Sequence, residues 1–168
     1  IGEMHRASSL ETAEEVTAWR AGARSDPPGG LAPGELVSLR PMPPEEMPRD
    51  SIERVIRRRG SSRRFEREAI SFETLSTMLE MGLGGVDADF SSSTAPGQLT
   101  QAYLIVNAVE GLESGSYVYL AGQGLELLRA GQFRRGAEYL DLGQELAGDA
   151  AVNVYLMSEL GEVLRRFG

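Results

Sequence analysis

The chain has 168 residues, a formal net charge of −8 and no cysteine. That length supports one self-sufficient core, and the missing thiols exclude a disulfide framework, a thiolate metal site and a cysteine nucleophile. His5 is the single histidine and all seventeen positive charges are arginine, so histidine triads, multi-histidine metal centres and lysine Schiff bases are excluded too.

In chain order, Ile1 is not an initiator methionine, which suggests a piece of a longer protein. Ser8 and Glu11 have capping-box spacing for a helix running to about Ala21, with Leu10, Ala13, Val16 and Trp19 on its apolar side. Val16 and Trp19 read as packing anchors. From Ser25 to Pro48 the chain carries seven of its eight prolines, so residues 1–47 read as an N-terminal helix followed by a proline-rich arm.

The next segment is the most unusual. Asp50 followed by Glu53 resembles a helix start, and Ile52, Val55 and Ile56 fall on one face at i, i+3 and i+4, a face expected to be buried. Arg59, at i+7, continues that stripe and is expected to turn inward. Gly60 then stops the helix and lets backbone approach a ligand, with the Ser61 and Ser62 hydroxyls beside it. Between Arg54 and Arg67 stand seven arginines and one acid, Glu66, so this stretch carries +6 and the rest of the chain −14. Such segregation points to an anion, and phosphate is the commonest small one. The plainer reading is a solvated basic helix end whose arginines pair with neighbouring carboxylates.

Further on, Ser71 caps a second helix, Ile70 and Leu75 form a staple, and Gly82 ends it. The glycines at 82, 84 and 85 follow a helix where a dinucleotide fingerprint needs a strand, so that motif is rejected. Residues 87–101 read as a loop. Ala102 to Val109 is an apolar strand, and Ser116 to Leu120 is another, with Tyr117 and Tyr119 on one face as packing residues, followed by Leu125 to Leu128. A helix is predicted over Gln132 to Leu146 with Phe133, Ala137, Leu140 and Gln144 inside, then a buried strand over Ala150 to Met157 and a last helix from Glu159. Apolar runs such as 102–106 and 154–157 are too short to span a bilayer. A soluble, cytoplasmic protein without membrane partners is expected.

Arg59-Gly60-Ser61-Ser62-Arg63-Arg64-Phe65, with Ile70-Ser71-Phe72-Glu73-Thr74-Leu75 and Met78-Leu79, resembles the opening motif of the FMN-dependent nitroreductase superfamily. The SagB-type dehydrogenases are the branch it is most similar to. The similarity continues through 103–106, 109–112, 115–119, 125–128, 150–152 and 164–168, and 4–9 resembles that branch's lead-in. The resemblance implies an α+β fold, an antiparallel sheet with helices on both faces, formed by residues 48–168 with its C-terminal part lying beyond Gly168. It also implies FMN as cofactor, held at the interface of a homodimer. Arg59, Gly60 and Ser61 would then take phosphate or ribityl oxygens, Arg63 would lie nearest the ring's O2 edge, and Ser92, Ser93 and Thr94 would occupy the place of a loop against the flavin. No residue is assigned as catalytic and none as a metal ligand.

That branch resembles enzymes that oxidise azoline rings in ribosomal peptides beside a cyclodehydratase, which implies a peptide substrate and that partner. Where the branch has a Lys-Tyr pair near its end this chain has Arg166-Phe167, and neither residue can serve as a base. The second reading is therefore a degenerate, non-catalytic domain of the same fold serving assembly or peptide binding. A third, nucleic-acid binding through Arg54 to Arg67, is disfavoured by the acidic remainder.

Overall fold

The computed structural model describes residues 12–22, 34–83, 100–161 and 164. The chain divides into two compact units, one formed by Leu31–Gly85 and Gln101–Met157, the other by Ile1–Gly30, Val86–Thr100 and Ser158–Gly168.

In the second of these the principal described element is helix α1, Ala13–Gly22. Among the described residues it begins at Ala13. Thr12 Oγ1 accepts from the Glu15 amide and Glu15 Oε2 accepts from the Thr12 amide, each at 3.1 Å, so the reciprocal box is made by Thr12 and Glu15. Ser8 and Glu11 lie outside the described residues.

The larger unit is built on a five-stranded antiparallel sheet. Its strands are β1 (Leu36–Val37), β3 (Gln101–Val106), β5 (Gly115–Leu120), β6 (Gly124–Ala130) and β7 (Val152–Met157), in the spatial order β1-β6-β5-β3-β7. Strand β3 is flanked on both sides, with Tyr103 opposite Val118 of β5 and Tyr155 of β7. Past Gly34, the first described residue of this unit, the chain adds the edge strand β1, with Leu36 opposite Glu126. A small parallel pair, β2 (Ile70–Ser71) and β4 (Val109–Glu110), ties the entry of the next helix to the chain following β3.

Period-two alternation in β3 sends side chains to opposite faces, and helices cover both. On one face Ala102, Leu104 and Val106 pack with Tyr117, Tyr119 and Leu125 against Phe72, Leu75 and Leu79 of helix α3 (Phe72–Leu83). On the other, Ile105 packs with Ala137 of α4 (Arg134–Leu140) and Ala147 of α5 (Glu145–Asp149). The tyrosines are packing residues as expected, 1% and 3% exposed. Burying a large apolar side chain such as Leu104 contributes about 1.5–3 kcal/mol, which makes this sandwich the main source of stability. Helix α3 starts as its sequence predicts: Ser71 Oγ accepts from the Thr74 amide at 3.1 Å.

Three expectations are corrected. The predicted helix over 132–146 is two helices, because Leu142 (φ 61°) and Gly143 (φ 75°) are left-handed and the Gly143 amide donates to the Glu138 carbonyl at 2.7 Å, a Schellman closure. Leu140 and Gln144, expected inside, are exposed. The strand predicted as buried over 150–157 is β7, an edge strand whose Val154, Leu156 and Met157 are exposed, since among the described residues no strand pairs beyond it. The third concerns helix α2 (Ile52–Arg58): none of its residues is buried, and Ile52 and Ile56 are each 65% exposed. Spacing puts these residues on one face, and that face is turned outward.

Candidate functional site: the arginine segment

Ser51, and not Asp50, is the N-cap of α2, its Oγ accepting from the Arg54 amide at 3.4 Å. The backbone N–H of Glu53 itself, and secondarily the Ser51 hydroxyl, hydrogen-bond the Glu53 carboxyl and lower it below the usual range. Asp50 is left free to bind arginine. Its carboxylate receives Arg54 at 3.3 Å and Arg58 at 2.8 Å, one on each oxygen.

These contacts sort the arginines. Arg67 is also paired, its Nε donating to Asp149 Oδ1 at 2.6 Å across 82 positions of chain. Arg57, Arg59, Arg63 and Arg64 make no ion pair among the described residues. The plainer reading of the sequence, pairing with carboxylates, thus accounts for three of the seven and leaves four cations unmatched.

Arg59 is the C-cap of α2, with its amide donating to the Val55 carbonyl. Its side chain, expected inward, is exposed, because it continues a stripe that itself faces outward. Gly60, Ser61 and Arg63 follow in exposed chain without regular structure, in front of β2. A Cβ built on Gly60 would meet nothing within 4 Å, so the space beside this backbone is open. Phe65, 44% exposed, adds an apolar ring to the same segment. Arg59, Gly60, Ser61 and Arg63, neighbours in the sequence, thus lie on one exposed stretch of chain. Ser92, Ser93 and Thr94 lie outside the described residues, as do His5, Arg166 and Phe167.

Elsewhere in the larger unit, a cleft of about 410 Å³ is lined by Ser38, Leu39, Glu80, Tyr119 and the turn 122–124. None of the arginines between 54 and 67 lines it. Sequence reading missed it because its walls come from three stretches far apart in the chain. Among the described residues no cluster of His, Asp or Glu could hold a metal ion, and no helix is long and apolar enough to cross a membrane.

No protein-family model matches this chain, and no curated protein matches it. Among solved structures, a candidate nitroreductase of Anabaena variabilis is similar with a TM-score of 0.52 and 28% identity, over 68% of this chain and 26% of that one. The chain thus spans about a quarter of its structural neighbour's length. With an antiparallel sheet covered by helices on both faces, the fold of this protein is α+β and nitroreductase-like.

Proposed function

We propose that this chain is part of an FMN-dependent oxidoreductase of nitroreductase type, and that Arg59, Gly60, Ser61 and Arg63 receive the cofactor. The observation that carries the reading is the sorting of the arginines: Asp50 and Asp149 neutralise three, while Arg59 and Arg63, on either side of an open glycine and a serine hydroxyl, make no ion pair among the described residues. The residues fit the group. A guanidinium fork binds two phosphate oxygens at once, and the open side of Gly60 admits a ligand close to the backbone.

When bound, FMN supplies the hydride chemistry. The chain's own part is to bind and orient it. Arg59 and the Ser61 hydroxyl hold the phosphate or ribityl oxygens, and Arg63 places a permanent positive charge beside the ring edge where negative charge accumulates on reduction. The loop residues Ser92, Ser93 and Thr94 belong to the same proposed site through the sequence resemblance.

The exposed stripe of α2 supports a homodimer with the cofactor at the interface. Ile52 and Ile56 lie in line with Arg59, so a second subunit covering the isoleucines would also enclose the guanidinium and exclude water from its ligand. Within this class, the SagB-type resemblance points to azoline oxidation in a modified peptide, beside a cyclodehydratase.

The test is titration of the purified protein with FMN, read by quenching of flavin fluorescence and by mass in solution. Saturable uptake by a dimer, weakened at least about tenfold by Arg59→Ala, is expected. A protein that takes up no FMN in either oligomeric state would leave the degenerate, non-catalytic domain as the reading.

A further inference from the structure

The cleft of about 410 Å³ is separate in its lining from the arginine segment and has the size of a small-molecule site. It lies on the α3 side of the sheet, between the stretch following β1, helix α3 and the turn from β5 to β6. Gly124 shapes the wall: it has a φ of 137°, and a Cβ there would strike the Val37 carbonyl, so only glycine lets the turn close against β1.

The lining has a one-sided chemistry. Among the described residues, Glu80 brings a carboxylate that makes no ion pair, and no cationic side chain lines the cleft. Ser38 and Tyr119 bring hydroxyls, Gln123 an amide, and Leu39 an apolar surface. Burial, and secondarily the Glu80 charge, push the Tyr119 phenol up, so it stays protonated. An anionic ligand would meet Glu80 with no cation of the described residues to offset it. An uncharged ligand would take Glu80 out of water for neutral hydrogen bonds only, whereas an ammonium makes charge-assisted ones of about twice the strength.

We propose that this cleft binds a small aliphatic amine, with its ammonium on Glu80 within reach of the Ser38 and Tyr119 hydroxyls and its alkyl chain against Leu39. The site is independent of the flavin reading and uses none of its residues.

The experiment is an amide chemical-shift titration of the full chain at neutral pH and low salt with n-butylammonium chloride, using n-butanol as the uncharged isostere. Saturable shifts concentrated at residues 38–39 and 122–124 are expected, with butanol at least about tenfold weaker. Glu80→Gln, an exposed position whose change leaves the core intact, should weaken butylammonium at least about tenfold. Glu73→Gln, an exposed carboxylate of the same helix outside the cleft, should change nothing. Equal response to butanol, equal loss from Glu73→Gln, or shifts scattered over the acidic surface would overturn the proposal. FMN uptake unchanged by Glu80→Gln separates this site from the other.

Discussion

Arg58 and Arg59 are neighbours in the chain with opposite circumstances: Arg58 Nη1 lies 2.8 Å from Asp50 Oδ2, while Arg59 makes no ion pair among the described residues. One turn of backbone direction at the end of α2, where Arg59 leaves helical geometry (φ −64°, ψ 127°), separates a structural cation from an available one. Arg58→Ala should therefore cost stability, though only about 0.2–1 kcal/mol, since Arg58 is mostly exposed. Arg59→Ala should leave the thermal midpoint unchanged and lower affinity for FMN. Calorimetry and flavin titration on both variants check this, and a midpoint that falls with Arg59→Ala would show that the residue has a structural partner.

Leu142 occupies the left-handed position that closes α4, at φ 61°, and is 91% exposed. A left-handed conformation costs an ordinary L-residue roughly 1–2 kcal/mol, and an exposed leucine recovers none of it by burial. Leu142→Gly should raise stability by about 1 kcal/mol, read as a higher denaturant midpoint with an unchanged slope. A lower midpoint would mean that the leucine is covered in solution.

Ser76 is fully buried in α3 and its Oγ has no hydrogen-bond partner among the described residues. Leaving a buried hydroxyl unsatisfied costs about 1–3 kcal/mol, and alanine is also the better helix former. Ser76→Ala is expected to stabilise the protein by about 1 kcal/mol. Equilibrium urea unfolding measures it, and destabilisation would reveal a buried water or ligand on that hydroxyl.

Tyr155 donates to Asp141 Oδ2 at 2.7 Å, joining β7 to the turn after α4. Burial first, then the hydrogen bond and charge of Asp141, push its phenol well above the ordinary value of 10.0. A raised folded-state value means that the contribution is fully present below the unfolded value and is lost as pH rises through the folded one. Stability should therefore fall along an alkaline limb that begins near pH 10. In Tyr155→Phe that limb should be flatter, with the neutral-pH stability lower by about 1 kcal/mol. Unfolding midpoints measured from pH 8 to 11 compare the two, and parallel limbs would remove Tyr155 as the titrating group.

Much of this was legible in the residues. Alternation put Tyr117 and Tyr119 on one face, and the structure packs both into the core. Ser71 announced α3, and the order of motifs announced an α+β, nitroreductase-like fold. The concentration of arginine between 54 and 67 is a property of the sequence alone, as is the exclusion of thiol and lysine chemistry.

Tertiary structure decided the rest. Helical spacing tells which side chains share a face but not where the face points, so Ile52, Ile56 and Arg59 could be aligned in advance and still be placed inward by mistake. Nothing local foretells that Arg67 meets Asp149 82 positions away, or that Glu80, Tyr119 and the 122–124 turn border one cleft. Which guanidinium is neutralised depends on distances of a few ångströms between groups remote in the chain, and only the packed sheet and its helices set those distances.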